Sequence, residues 1–356
     1  RELPQQSRRE TKILERGEYT KPIGKALNPG VFSVLGNMKE GSPSNRLGLA
    51  NWMTSDEQPL TSRVLVNRFW LMVFGEGLVR TPEEFGLQGE HPTHPELLDW
   101  LAVDFRENGW NLKRLLTQLL SSRTFRQSSA RRVDFPDPEN KKWGRGPSFR
   151  LDAEVVRDLS LWSSGLLNRK IGGEGFKPYQ PSGMWIALSH PNSDTKNYKM
   201  DTDDSIYRRS LYTYWKRGMP PPQMTILNAP IRDACVARRE RTNTPTQALL
   251  LLNEGEYLKA ARSLAQKALE AEATDESKRL VFVYETVTSK LPDEKERKVL
   301  SDLTRNLQKN YLEQPVLSDA ICHGLNIGDA EQKAQLAAWT VLVNALYNLD
   351  ITKTRE

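Results

Sequence analysis

Residues 66–101 read VNRFWLMVFGEGLVRTPEEFGLQGEHPTHPELLDWL, a stretch with four Gly, three Pro, two Trp and two His. Its first part continues an apolar pattern that starts after Pro59, with Leu60, Val64, Leu65, Phe69, Leu71, Met72 and Phe74 recurring at three- and four-residue spacing. That spacing stacks side chains on one face of an α-helix. Gly75 and Gly77 then supply the backbone freedom at which helices stop. The polar connector closes at Thr93-His94-Pro95, where Thr93 is placed to cap a new helix and Pro95 to sit in its first turn. Leu97, Leu98, Trp100, Leu101 and Phe105 carry that helix onward. Helix, ordered connector, helix is the local architecture, and it sets the expectation for the whole chain.

Toward the N-terminus, residues 1–45 are rich in Pro, Gly, Ser and charge, with apolar pieces at 12–14 and 31–35. They read as an irregular arm with a short strand or two, packed on something larger. Leu47, Leu49, Ala50 and Trp52 form a short helix. Toward the C-terminus, Asn108-Gly109 breaks the second helix and Leu112, Leu115, Leu116, Leu119 and Leu120 start another, an αα-hairpin. The Pro-, Asp- and Arg-rich stretch 128–146 reads as a surface loop or subdomain seam. RLDAEVVRDLSLWSSGLL (150–167) is an amphipathic helix with Leu151, Val155, Leu159 and Trp162 on one side. IGGEGFKPYQPSGMW (171–185) is a long Gly/Pro loop, and the alternation in YRRSLYTYW favours a strand over 207–215. Thr244-Pro245 opens a helix expected to run to Ala271, followed by three or more helices up to Leu349.

The expected fold class is mainly α: an irregular helical domain with long, ordered Gly/Pro-rich loops and a minor β component. The arm spans 1–45 and the helical domain 46–356, with a seam at 128–146. A length of 356 residues, 38% hydrophobic, is ample for a real core without disulfide staples. No run approaches the roughly 18 consecutive apolar residues of a spanning helix. The N-terminal RELPQQSRRETKILERGEY has neither an apolar signal segment nor an initiating Met, so Arg1 reads as a cut point. Cys235 and Cys322 read as two inert buried thiols, with a disulfide left open. The net charge of +6 arises from basic residues interleaved with acids, which argues against a nucleic-acid stripe.

Three constellations carry chemistry. His91 and His94, with Glu90, Glu96 or Asp99, have the types a metal site needs, but Pro92 and Pro95 interrupt the spacing. Hydrogen bonding within a rigid turn is the preferred reading, and no metal is assigned. Carboxylates such as Glu83, Glu84, Asp152, Glu154 and Asp158 could supply an acid and a base to a hydrolase, with His91 and His94 as weak catalytic partners. Ion pairs locking the helix to Arg-rich loops are the preferred reading of the helix acids. No GxSxG elbow, phosphate loop or HExxH motif occurs. The third cluster is basic and aromatic: Arg208, Arg209, Tyr212, Trp215, Arg217 and Arg239 suit an anionic ligand, since guanidiniums bind carboxylate or sulfate bidentately and rings stack on sugars, although internal ion pairs to the acidic helices are the preferred reading of the arginines.

The motifs VNRFWLMVFGEGLVRTPEEFG, HPTHPELLDWLA, GWNLKRLLTQLLSSRTFRQSS, RLDAEVVRDLSLWSSGLL, GGEGFKPYQP, YRRSLYTYWKR, RTNTPTQALLLLNE and AAWTVLVNALYNLD, in this order, resemble the planctomycete-type PSD1 domain, DUF1553. The resemblance implies an extracytoplasmic protein in which a DUF1549 region and a c-type cytochrome region belong to the same parent chain. It implies no activity. This chain has no Cys-x-x-Cys-His, so no haem or other cofactor is assigned to it. The expected function is an exported binding or scaffold module for an anionic glycan or partner protein. The alternatives are a polysaccharide hydrolase or lyase working through the loops 83–94 and 172–190, and a redox-partner module of the cytochrome.

Overall fold

The computed structural model describes residue 7 and residues 9–355, except 191, 194, 195 and 272–274. Among these the chain is mainly α, with helices joined by long loops and two two-residue antiparallel ribbons. It divides into two compact units, Arg1–Pro147 and Ser148–Glu356. No described helix is long and apolar enough to cross a membrane.

In the N-terminal unit the arm holds β1 (Ile13–Leu14) against β2 (Pro22–Ile23), with Ile13 opposite Ile23. Residues 1–6 and 8 of the arm lie outside the described residues. The second apolar piece is a 3-10 turn at Ser33–Leu35, and Phe32 and Val34 are 76% and 88% exposed. In the arm Ile13, Leu14, Ile23, Leu27, Phe32 and Val34 face water, whereas Val31, Leu35 and Met38 are half-buried.

Helix α1 (Arg46–Met53) starts where the Asn45 side chain accepts from the Leu47 and Gly48 amides. Helix α2 (Leu60–Phe74) ends at Gly75, whose φ of 84° is the left-handed geometry that glycine adopts without strain. The connector then folds back on α2: fully buried Asn67 donates to the Val79 carbonyl at 3.0 Å and accepts from its amide at 2.8 Å. Helix α3 (Pro95–Glu107) has Pro95 in its first turn, but the cap position belongs to His94, not Thr93. The Thr93 hydroxyl sits 3.1 Å from His94 Nδ1 instead. Gly109 and Trp110, both at positive φ, turn the chain into α4 (Leu112–Ser121). Trp70, Phe74, Leu98, Leu101, Phe105 and Leu115 form the core between these three helices.

The C-terminal unit opens on β3 (Phe149–Arg150) and α5 (Ala153–Ser163). The buried face of α5 carries Val156, Arg157, Ser160 and Leu161, whereas Val155 and Trp162 are 46% and 52% exposed. The expected apolar side is therefore split: Leu151 and Leu159 pack against buried clusters, Val155 and Trp162 face out, and Arg157 points inward. Two short helices follow, α6 (Met184–Leu188) and α7 (Pro222–Ile226). The predicted strand over 207–215 is absent: 3-10 turns occupy Asp204–Tyr207 and Ser210–Tyr212, tied to the Gly-rich loop by isolated bridges Asn168–Arg208 and Phe176–Thr213.

Helix α8 (Pro245–Asn253) begins with a capping box in which Thr244 and Gln247 satisfy each other's backbone. The single helix expected to run to Ala271 breaks at Glu254, and α9 (Gly255–Ala271) restarts at Gly255. The remainder forms α10 (Glu276–Thr288), α11 (Glu294–Glu313), α12 (Pro315–Ile321), α13 (Ala330–Asn348) and α14 (Asp350–Lys353). Alanines 260, 261, 265 and 268 let α9 approach α13 closely around Trp339, Leu342 and Leu346. The last described residues, β4 (Thr354–Arg355), pair with β3, Phe149 opposite Arg355. Cys322 is buried, and burial pushes its thiol pKa up. Cys235 is exposed and both thiols are free, so the expected pair of buried thiols holds for one of them.

Candidate functional site

The four residues proposed from the connector lie in the N-terminal unit. Glu84 turns back on its own loop, with Oε1 accepting from the Gly86 amide at 2.5 Å. The Thr81 hydroxyl donates to the Glu84 carbonyl and accepts from the Glu90 amide, both at 2.9 Å, which closes the turn. Glu83 and His91 are exposed, and His94 is half-buried against Thr93. Among the described residues no group of three His, Cys, Asp or Glu side chains is arranged to hold a metal ion.

In the C-terminal unit the organising group is Arg157, which is 1% exposed. Its Nε and Nη2 hold both carboxylate oxygens of Glu256, in the first turn of α9, with Nε to Oε2 at 2.9 Å. Nη1 donates to the Arg208 carbonyl at 2.9 Å and to Ser210 Oγ at 3.2 Å, and Nη2 also donates to the Ile206 carbonyl at 2.6 Å. Asp158 accepts from the Ser210 amide and hydroxyl, both at 2.7 Å. A planar guanidinium has five donors in a fixed fork, so one side chain can lock a helix start and an irregular segment together.

Arg208 extends that lock. It is buried, lies 3.8 Å over the Tyr212 ring, and donates to the carbonyls of Glu174 at 2.5 Å, Lys170 at 3.2 Å and Gly172. The Gly172 amide donates to the Tyr212 hydroxyl at 2.8 Å, and this bond, helped by Arg209 and Arg208, lowers the Tyr212 pKa against a smaller opposing effect of burial. Arg239 pairs with Glu154 at 2.5 Å and Asp152 at 3.6 Å. Trp215 donates to the Ile231 carbonyl at 3.1 Å and carries Arg232 over its ring at 4.4 Å. Arg209 lies 5.9 Å from the Tyr212 ring, and Arg217 is exposed. The six basic-aromatic candidates are thus distributed along one locked loop system rather than gathered around one point.

Beside the break at Glu254 lies a cleft of about 410 Å³, lined among others by Tyr179, Met200, Tyr207, Gln223, Glu254 and Lys259. Tyr179 is 60% exposed although its neighbours are fastened: the Tyr198 hydroxyl donates to the Pro178 carbonyl, and Trp185 Nε1 donates to Gln180 Oε1. Glu254 Oε2 accepts from the Glu256 amide at 2.7 Å. Burial, and next the Glu256 carboxylate, raise the Glu254 pKa above the usual carboxylate range. The sequence alone does not single out buried Arg157, nor bring Tyr179, Glu254 and Lys259 together as the lining of one cleft. One local signal was available, Gly255 between two Glu in an otherwise periodic helix.

A family model described as PSD1, protein of unknown function (DUF1553), matches residues 45–304. The chain belongs to this family. The match starts at the cap of α1 and ends inside α11, so the PSD1 domain takes in α1–α4 of the N-terminal unit and the whole loop system of the C-terminal one. No curated protein and no solved structure matches the chain.

Proposed function

We propose that this PSD1 domain is an exported binding module whose C-terminal unit presents the loop 170–186 and the adjoining cleft to a glycan. Export is supported by the family resemblance alone. The observation that carries the binding reading is the use made of two buried guanidiniums. Arg157 and Arg208 direct their donors at carbonyls of residues 170–174 and 206–208 and at Glu256. Such a lock fixes a loop without polarising a substrate, and a rigid loop binds with less ordering cost. Anionic substituents on the glycan would be met by Arg209 and Arg217, which enter no ion pair described above.

Hydrolysis is not part of the proposal, because Glu84 is tied to its own turn and Glu256 is held by Arg157. The test is calorimetric titration with neutral, uronic and sulfated oligosaccharides at low and raised salt. Arg208→Gln should weaken binding by about tenfold or more through loss of loop order, with helix content by circular dichroism retained. Absence of binding across the panel would sink the reading, and so would an Arg208→Gln variant that binds as well as the parent.

A further inference from the structure

We propose that the cleft beside the α8–α9 break holds one uncharged pyranose ring of the glycan, stacked on Tyr179. The inference rests on the glycan-binding reading and names its subsite. Pockets for small ligands measure roughly 300–1,000 Å³, and this one, at about 410 Å³, has room for a ring and its hydroxyls.

The walls differ in kind. Tyr179 and Met200 are 60% and 37% exposed, so an apolar face is held in water, with the Pro178 carbonyl and the Gln180 side chain on either side of Tyr179 each accepting a hydrogen bond. The C–H face of a sugar covers such a ring. The rest of the lining supplies Gln223 and Asn253 amides, the Glu254 carboxyl group and the Lys259 ammonium. Amides both donate and accept, the carboxylate accepts and the ammonium donates, which matches hydroxyl groups that do both.

Charge decides which ring. The lining includes two carboxylates, Glu254 and Glu256, and one cation, Lys259, while Arg157 already neutralises Glu256. A uronate or sulfate in the cleft would face Glu254 with no surplus positive charge. A nucleobase would stack on Tyr179 as well, but the phosphates of a nucleic acid need several cations, and the cleft offers one.

The experiment titrates the intact chain with hexasaccharides of β-1,4-glucose, β-1,4-xylose and α-1,4-galacturonate, a sulfated galactan and a single-stranded oligonucleotide. The variants are Tyr179→Ala, Tyr179→Phe and, as a control on α11, Lys309→Ala. The expected result is that a neutral hexasaccharide binds, Tyr179→Ala weakens it about tenfold or more, Tyr179→Phe stays within about twofold, and Lys309→Ala changes nothing. Binding of the galacturonate, galactan or oligonucleotide but of neither neutral chain overturns the subsite, as does neutral binding indifferent to Tyr179→Ala. For the galacturonate or galactan the glycan reading survives. If nothing on the panel binds, both fall. Exposed Tyr179 lies outside the core, so circular dichroism of Tyr179→Ala should match the parent.

Discussion

The interior of the N-terminal unit is aromatic and aliphatic, with Trp70, Phe74 and Trp143 ring on ring and Asn67, among the described residues, as its one fully buried polar clamp. In the C-terminal unit, by contrast, Arg157, Arg208, Arg279 and Lys353 are buried, and among the described residues every buried charged side chain belongs to this unit. Apolar packing is non-directional and tolerates adjustment. Buried ions tolerate little, because each needs partners at fixed angles. Two of these ions, Arg157 and Arg208, fasten the loop segments 170–174 and 206–210 to one another and to α5 and α9.

The strongest way to break this contrast is Arg157→Met. It strands Glu256 and two carbonyls, and loss of one partner of a buried pair costs about 3–5 kcal/mol. Hydrogen exchange followed by mass spectrometry should show protection falling in α5, α9 and residues 204–212 while α2–α4 keep theirs. Equal loss in both units would mean that they unfold as one. Leu98→Ala, at a position 2% exposed in the N-terminal core, should cost about 3 kcal/mol with the opposite distribution, read by the same method. Thr244→Ala removes one half of the α8 capping box and should lower stability by about 1 kcal/mol, measured by urea unfolding.

The smallest effect concerns pH. Burial, and next Arg150, depress the Lys353 pKa to about 8 from its ordinary 10.5, with Asp350 opposing and Asn348 accepting its hydrogen bond. Between these two values the unfolded chain carries more protons than the folded one, so this group's contribution makes folding more favourable as pH rises. Stability measured from pH 7.5 to 10.5 should therefore rise relative to Lys353→Met. A difference between the two that stays flat with pH would show that Lys353 is not strained by its burial.

Helices were legible because their periodicity is a local property. The bounds of α1 to α4 follow from apolar spacing, Gly75, Gly109 and Pro95. The segment 207–215 misleads because its alternation of rings and cations looks like a pleat. The alternation instead stacks Arg208 on Tyr212 and Lys177 on Tyr214 across a loop. The face of α5 was misread for a related reason: an Arg is ordinarily placed outside, and its burial is repaid by carbonyls some 50 residues away. The cleft was illegible because its lining comes from segments far apart in the sequence, with Tyr179, Tyr207, Gln223 and the stretch 253–259 meeting only in the fold.

The β3–β4 ribbon sets Phe149 beside Arg355, so the first and last strands of the C-terminal unit meet side by side. Strands paired in this way cannot fray one at a time: opening Thr354–Arg355 also releases Phe149–Arg150 and, through the Leu151 amide on the Lys353 carbonyl, loosens the approach to α5.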